Sequence, residues 1–174
     1  GADQIKRSFH DNIPNDPHYI WSGLCETPWA VSFERRGHVA DLSEGASIRW
    51  RVRQSGERTL RVVIETAQGW FVSDAGTGSS EAWVIDAIGL DGVHWKPLDI
   101  QRVQSGDYAA TPDLSRVWAI GVTDLEPGQG SRVSSRLDWI EVYAHESSAP
   151  NVILMMGDDH GWEETGYNGH PYLR

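Results

Sequence analysis

The sequence predicts an all-β domain, an antiparallel β-sandwich of the jelly-roll type, followed by the first strand of an α/β domain. Short segments with a period of two recur along most of the chain, so that apolar and polar side chains alternate. Gly, Pro, Asp and Asn separate these segments, as they do in strand-and-turn architectures. A short Ser/Ala linker at 145–150 then precedes an unbroken apolar run.

The composition limits what the chain can be. Its 174 residues suffice for one domain of ordinary size plus a short second segment. The net charge of −10 argues against nucleic acid as a partner, because nucleic acid requires a basic surface. No apolar run approaches the length of a membrane span. Because the first residue is Gly and no signal-peptide pattern is present, we expect a mature or trimmed product.

Residues 1–28 are irregular, and we expect a lead-in segment there, before a sandwich at 29–144. The clearest strands are predicted at 47–53 and 60–64, and the Gly-containing turn between them favours a hairpin with one buried face. The remaining strands are predicted at 70–73, 82–87, 117–123 and 137–143.

Nine tryptophans in so short a chain indicate a possible sugar-binding surface, since aromatic rings stack on pyranose rings. Trp50 and Trp139 lie within strand patterns, and we expect both to be buried. Trp70, Trp83 and Trp95 lie beside turns or in strands with mixed faces, so they are the candidate binding platforms. The alternative for each is an ordinary core tryptophan.

Thirteen of the fifteen basic residues are arginines, and four of these can share one face of the predicted hairpin. A guanidinium group matches the oxygens of a sulfate group as it matches those of phosphate. These arginines are therefore candidate ligands for a sulfated glycan; a solvated outer face is the alternative. The four are Arg49, Arg51, Arg53 and Arg61.

The apolar run at 152–156 has the pattern of a strand buried on both faces of a parallel sheet. Asp158 and Asp159 follow at its carboxyl end, where ligands bind in open α/β sheets. Two adjacent carboxylates repel each other unless a cation neutralises them, and calcium prefers oxygen ligands of this kind. A turn that caps the next segment is the alternative.

Residues 150–174, with Pro150-Asn151, Asp158-Asp159, Gly161-Trp162 and the run at 165–170, closely resemble the opening of the catalytic domain of formylglycine-dependent sulfatases. The resemblance implies an alkaline-phosphatase-like domain that begins at 151, with Asp158 and Asp159 as its first two calcium ligands. It also implies hydrolysis of sulfate esters, on sulfated carbohydrate, by a secreted or periplasmic protein.

The nucleophile motif of that family, Cys/Ser-x-Pro-x-Arg, is missing from the chain. Cys25, the only cysteine, lies upstream, and neither Pro nor Arg follows it at the required spacing. We therefore expect this chain to be inactive as it stands and to bind calcium weakly. The rest of a sulfatase domain is then an expected partner, and the chain is expected to be a fragment of the complete enzyme.

Residues 112–121 and 137–143 resemble the last two strands of galactose-binding-like carbohydrate-binding modules. This resemblance implies a non-catalytic domain that binds a sulfated or other polysaccharide. Such modules often hold a structural calcium near the final strand, which makes Asp138 a candidate ligand; a salt-bridged or turn-capping Asp is the alternative. Two functions thus remain open: the front of a sulfatase, or a stand-alone carbohydrate-binding sandwich.

Overall fold

Two antiparallel β-sheets form the domain in a computed structural model. The described residues are 1–10, 12–13, 17–34 and 37–144. The predicted linker at 145–150 and the predicted sulfatase segment at 151–174, with Asp158 and Asp159, lie outside the described residues. Within the described part of the chain, no helix is long and apolar enough to cross a membrane.

A short 3₁₀ helix, Ala2–Gln4, precedes the strands. In chain order the strands are β1 (Lys6–Ser8), β2 (Tyr19–Trp21), β3 (Ala30–Glu34), β4 (Ser47–Ser55), β5 (Leu60–Thr66), β6 (Gly69–Thr77), β7 (Val84–Gly89), β8 (Trp95–Asp99), β9 (Gln104–Ser105), β10 (Ala119–Thr123) and β11 (Ser134–Tyr143). One sheet has the order β1-β2-β11-β4-β7, and the other has the order β3-β10-β5-β6-β8-β9. The predicted antiparallel β-sandwich is therefore confirmed.

The hairpin predicted from β4 and β5 is wrong, because the two strands lie in different sheets. β4 pairs with β11 and β7, whereas β5 pairs with β10 and β6. The apolar faces of both strands belong to one core cluster between the sheets, and burying them against each other removes more apolar surface from water than a one-sided hairpin would. The fully buried side chains are Ile48, Trp50 and Val52 on β4 and Leu60, Val62 and Ile64 on β5.

Trp50 is buried, as predicted, and its indole N–H is hydrogen-bonded. Its indole Nε1 donates a hydrogen bond to Thr77 Oγ1 at 2.8 Å, and the Thr77 hydroxyl donates to Asp86 Oδ2 at 2.6 Å. This chain of bonds links β4, β6 and β7, and thus ties the two sheets together.

The segment 1–28 belongs to the sandwich and is not only a lead-in, which corrects the predicted boundary at residue 29. β2 pairs with β11, with Trp21 opposite Arg136 and Ile20 opposite Leu137. Ile20 packs against the core cluster. β1 and β2 have three residues each and are too short for a period of two to be recognised in the sequence.

The Gly-rich stretch at 74–78, which follows the strand predicted at 70–73, lies mostly inside β6. The register between β5 and β6 shifts between Arg61 and Val63. At this irregularity a Cβ on Gly76 would lie 2.3 Å from the backbone oxygen of Leu60, so the two strands can approach each other only because residue 76 is glycine.

Candidate functional site

A β-bulge in β11 turns one aromatic side chain out of the core. Leu137 lies opposite Val52 and Trp139 lies opposite Arg51, so Asp138 is an extra residue without a partner on β4. In a regular strand Leu137 and Trp139 would share a face. The bulge leaves Leu137 in the core and brings Trp139 to the outer face of the five-stranded sheet. The prediction that Trp139 is buried in the core is therefore wrong.

Trp139 forms part of a cluster that we call the outer-face patch: Arg49, Ile85, Trp139, Glu141 and Tyr143. Arg49 lies opposite Glu141 across β4 and β11, and its Nη1 is 3.3 Å from Glu141 Oε2. The Arg49 guanidinium carbon is 5.3 Å from the centroid of the Trp139 ring. Tyr143 donates a hydrogen bond from its hydroxyl to Glu141 Oε2 at 2.9 Å. Ile85 and Tyr143 are 55% and 49% exposed.

The contacts within the outer-face patch are weak enough for a ligand to replace. An exposed ion pair contributes about 0–1 kcal/mol, and an exposed cation–π contact contributes about 0.5–1 kcal/mol. The patch thus offers aromatic rings, a guanidinium donor and a carboxylate acceptor without a large cost of rearrangement. These groups can contact the apolar face of a sugar ring and hydrogen-bond its hydroxyl groups.

Five residues predicted to bind a ligand or metal lie on this same outer face: Arg49, Arg51, Arg53, Trp83 and Asp138. Only Arg49 belongs to the outer-face patch. Arg51 lies with its guanidinium carbon 5.5 Å from the Trp83 ring centroid, and Arg53 Nε is buried without a hydrogen-bond partner among the described residues.

Trp83 is partly covered by a second aromatic side chain. Its ring meets the ring of the buried Tyr19 edge-on, with a centroid distance of 5.2 Å. Arg51 and Trp83 therefore form part of an aromatic layer over the middle of the sheet. They stabilise this layer, and the more exposed surface for a ligand lies beside it, at the outer-face patch.

The Asp138 carboxylate forms an ion pair with the side chain of Arg51. Its Oδ2 accepts a hydrogen bond from Arg51 Nη1 at 2.9 Å. Burial raises the pKa of the Asp138 carboxyl, and the Arg51 hydrogen bond and charge oppose this rise. The described residues contain no group of three or more His, Cys, Asp or Glu side chains placed to hold a metal ion. The surroundings of Asp138 therefore fit the salt-bridge alternative, and a structural calcium at Asp138 stays a prediction.

Comparisons with known proteins relate the fold to one class of domain. No family model and no curated protein matches the sequence. A family 11 carbohydrate-binding module of the cellulosomal cellulase Lic26A-Cel5E from Clostridium thermocellum matches 81% of this chain and 82% of its own, with a TM-score of 0.51 and 12% identity. A family 11 module from the same organism, in complex with a β-1,3-1,4-mixed-linked tetrasaccharide, matches 78% of this chain and 80% of its own, with a TM-score of 0.49 and 14% identity.

The chain shares the β-sandwich fold of the cellulase module, whose TM-score is 0.51. At such low identity the likeness extends to the fold alone, and it supports the predicted jelly-roll sandwich. The binding residues of this chain must be argued from its own side chains.

The other predicted site residues lie away from the outer-face patch. Arg61 is on β5 in the six-stranded sheet, where it donates a hydrogen bond to the backbone oxygen of Asp74, so it does not share a face with Arg49. Trp70 is half-buried against the small apolar cluster of Val63, Val72 and Leu98.

Trp95 is only 3% exposed, so the prediction that it forms an open stacking platform is wrong. Its strand, β8, has only five residues, and its buried side chains, Trp95 and Leu98, are three residues apart, so no period of two marks Trp95 as a core residue. Trp118, by contrast, is 44% exposed and was not among the predicted platforms. It immediately precedes β10, and its solvent exposure depends on tertiary packing that its sequence position does not specify.

Proposed function

We propose that this chain is a non-catalytic carbohydrate-binding module that binds a glycan at the outer-face patch. The bulge at Asp138 carries the proposal, because it places Trp139 on the outer face, beside the exposed Arg49. The fold, shared with a family 11 carbohydrate-binding module, supports it. A buried Trp139 would have left the outer-face patch with Tyr143 as its aromatic group.

The glycan lies along β11 in this proposal. Trp139 and Tyr143 are four residues apart on one strand, which separates them by about 14 Å at the usual rise per residue. Glu141 lies between them and Arg49 lies opposite Glu141. Two rings with a donor and an acceptor between them suit an oligosaccharide that spans several sugar units.

We propose further that the glycan is sulfated. The Arg49 side chain is 45% exposed, and its guanidinium group can hydrogen-bond two sulfate oxygens at once. The net charge of −10 repels a polyanion at long range, so attraction is confined to the immediate surroundings of the patch. An extracellular or periplasmic location, where such polysaccharides occur, follows from the same proposal.

A second function is proposed for the complete protein: hydrolysis of sulfate esters. The support comes from the sequence of residues 150–174, which resembles the start of a sulfatase catalytic domain. Asp158 and Asp159 would then contribute two oxygen ligands for calcium, and the other ligands and the nucleophile would come from the remainder of that domain. The carbohydrate-binding sandwich would hold the polysaccharide close to this domain.

The substitution Trp139→Ala tests glycan binding. Loss of the stacking surface should weaken binding at least about tenfold, which corresponds to about 1.4 kcal/mol. The measurement is retardation in affinity gels that contain a mixed-linkage glucan, a sulfated polysaccharide or its desulfated form. Trp118→Ala is the matched control, because Trp118 is an exposed tryptophan outside the patch. Unchanged retardation of Trp139→Ala in every gel that retards the wild-type chain would contradict the proposal.

The substitution Arg49→Ala tests whether the outer-face patch prefers a sulfated glycan to an uncharged one. Retardation by the sulfated polysaccharide should fall more than retardation by its desulfated form, because only the first offers an anion to the guanidinium group. Equal losses for both polymers would leave glycan binding intact and reject the preference for sulfate.

A further inference from the structure

Two arginines lie directly opposite each other on the outer face of the five-stranded sheet, and we call them the arginine pair: Arg53 on β4 and Arg136 on β11. Residues opposed in this way have Cβ atoms about 4.5–5.5 Å apart. Both side chains lie on the outer face, because their neighbours Val52 and Leu137 belong to the core. Like charges that are directly opposed destabilise a sheet, so an anion bound between them would stabilise it.

Hydrogen bonds hold the Arg136 guanidinium group on the side of β4. Its Nη1 donates to Ser55 Oγ at 2.8 Å, and its Nη2 donates to the Ser131 carbonyl at 3.1 Å. Ser55 is two residues after Arg53, so its side chain is on the same face of β4. The Arg136 group therefore lies beside the Arg53 side chain. Both acceptors are neutral, so these two bonds orient the group without cancelling its charge.

Arg53 provides hydrogen-bond donors that the described chain does not use. The residue is half-buried, and no hydrogen bond or ion pair joins its side chain to a described residue. Its Nε is buried without a partner, whereas its two terminal nitrogens are open to solvent. A partly desolvated charge without a partner costs free energy, which a bound anion offsets. The terminal nitrogens can donate to two oxygens of one sulfate group.

The strands beside the arginine pair add positive charge. Arg136 lies opposite Trp21 on β2, and Trp21 lies opposite Lys6 on β1. Three of the four side chains in this row across the sheet are thus cationic. Asp138 is two residues from Arg136 along β11, but its carboxylate is already paired with Arg51 at 2.9 Å. The row is therefore locally basic in a chain whose net charge is −10.

We infer that the arginine pair binds a sulfate group of the same glycan that the outer-face patch holds, an inference that rests on the glycan binding proposed above. Arg53 and Arg49 are four residues apart on β4, a separation of about 14 Å. Trp139 lies opposite Arg51, between these two positions along the strand direction. A glycan that stacks on Trp139 and follows the strands therefore passes both cations. The two positions select sulfate groups that are several sugar units apart.

Inorganic sulfate tests the arginine pair without a glycan. Urea midpoints are measured in sodium sulfate and in sodium chloride at one ionic strength. Each variant is compared with itself in the two salts, so any change in packing caused by the substitution cancels. Sulfate stabilises all folded proteins by exclusion from their surface, and binding at the pair should add a saturable rise that Arg53→Gln lacks. Arg102→Gln, which changes an exposed arginine between β8 and β9, should respond as the wild type does.

Affinity gels that contain a sulfated polysaccharide or its desulfated form test the assignment to the glycan. Arg53→Gln should weaken binding to the sulfated form at least about tenfold, the effect expected when hydrogen bonds to a charged group are lost. Binding to the desulfated form should be unchanged. Arg53→Lys keeps the charge but loses the planar guanidinium group, so it should weaken binding less than Arg53→Gln does.

Two results would overturn the inference: an equal effect of inorganic sulfate on the wild type and Arg53→Gln, or full retardation of Arg53→Gln in the sulfated gel. If Arg53→Gln changed the response to inorganic sulfate alone, the pair would bind a free oxyanion, and its assignment to the glycan would be rejected. Failure of the proposed function is a separate result. Trp139→Ala tests that function in the gels, whereas it should leave the response to inorganic sulfate unchanged.

Discussion

At the scale of single residues, the carboxyl group of Asp124 is buried, since the residue is only 5% exposed. Burial raises its pKa above the ordinary value of 3.8, and hydrogen bonds from Ser135 Oγ at 2.7 Å and from the Glu126 N–H at 3.0 Å oppose the rise, together with the charge of Arg58. Arg58 is itself buried and pairs with Glu126 at 3.4 Å. Asp124 therefore connects the turn after β10 to β11.

The raised pKa of Asp124 predicts how stability depends on pH. The folded state binds the proton more tightly than the unfolded state, so the contribution of Asp124 to the free energy of unfolding is largest below about pH 3.8. It should decline as the pH rises through the raised pKa of the folded state. Urea denaturation of the wild type and of Asp124→Asn measures this contribution as the difference between their pH profiles.

Asp113→Asn provides a control of opposite sign. The Asp113 carboxylate accepts hydrogen bonds from the hydroxyl and the N–H of Ser115, which lower its pKa. Its contribution should therefore be present above the pKa of the unfolded state and be lost as the pH falls. Parallel profiles for the wild type and Asp124→Asn would show that the folded environment does not shift the pKa of Asp124.

At the scale of the strands, β10 depends on a glycine at its centre. β10 lies between β3 and β5, and Gly121 is opposite Ser32 on one side and Val63 on the other. A Cβ on Gly121 would lie 2.2 Å from the backbone oxygen of Val31 and 2.8 Å from the Cα of Ser32. Because both obstacles are backbone atoms, no side-chain rotation can relieve the clash.

Gly121→Ala should therefore destabilise the fold by about 1–3 kcal/mol, the usual cost of overpacking. Gly89→Ala is the matched control, because a Cβ there meets no described atom within 4 Å. We expect this control to be neutral or to stabilise the fold by up to about 1 kcal/mol, through a less flexible unfolded chain. Urea midpoints of the two variants provide the comparison. Equal stability of both variants would show that β3 can move away from β10 at little cost.

The strands could be predicted because the alternation of apolar and polar side chains is visible within each short stretch of sequence. Alternation along β4 identified both its core face and its arginine face, and Arg49 was recognised as a candidate ligand for that reason. The sheet to which β4 belongs was not predictable, because a buried apolar face fits either a hairpin or two strands packed across a sandwich.

The candidate site was predictable only in part. Arg49 followed from alternation, but Trp139 faces outward because Asp138 is an extra residue in the strand, and no turn residue in the sequence marks this bulge. Trp95 illustrates the opposite case. Its position beside a turn suggested exposure, whereas the pairing of β8 with β6 and with Ala110 buries its ring.

At the scale of the whole molecule, the proposed outer-face patch and the overall charge of the chain place different demands on a ligand. In our proposal, Arg49 of the outer-face patch binds an anionic group on an extended glycan, whereas the net negative charge repels one. A polysaccharide that is sulfated on some residues and not on others satisfies both. Because the overall net charge is −10, heavily sulfated stretches are repelled, which favours a sparsely sulfated polymer.

If residues 150–174 begin a sulfatase domain, the intact natural protein should exceed the 19.4 kDa of this chain by the mass of several hundred residues and should release a chromogenic phenol from its sulfate ester. Asp159→Asn in that longer protein should lower turnover by at least about tenfold, since one calcium ligand loses its charge. Removal of calcium with a chelator should have a similar effect, and added calcium should restore turnover.

A natural protein of 19.4 kDa without turnover would instead support the stand-alone carbohydrate-binding module. Turnover that is unchanged by both Asp159→Asn and chelation would reject the metal-binding role of the Asp158-Asp159 pair.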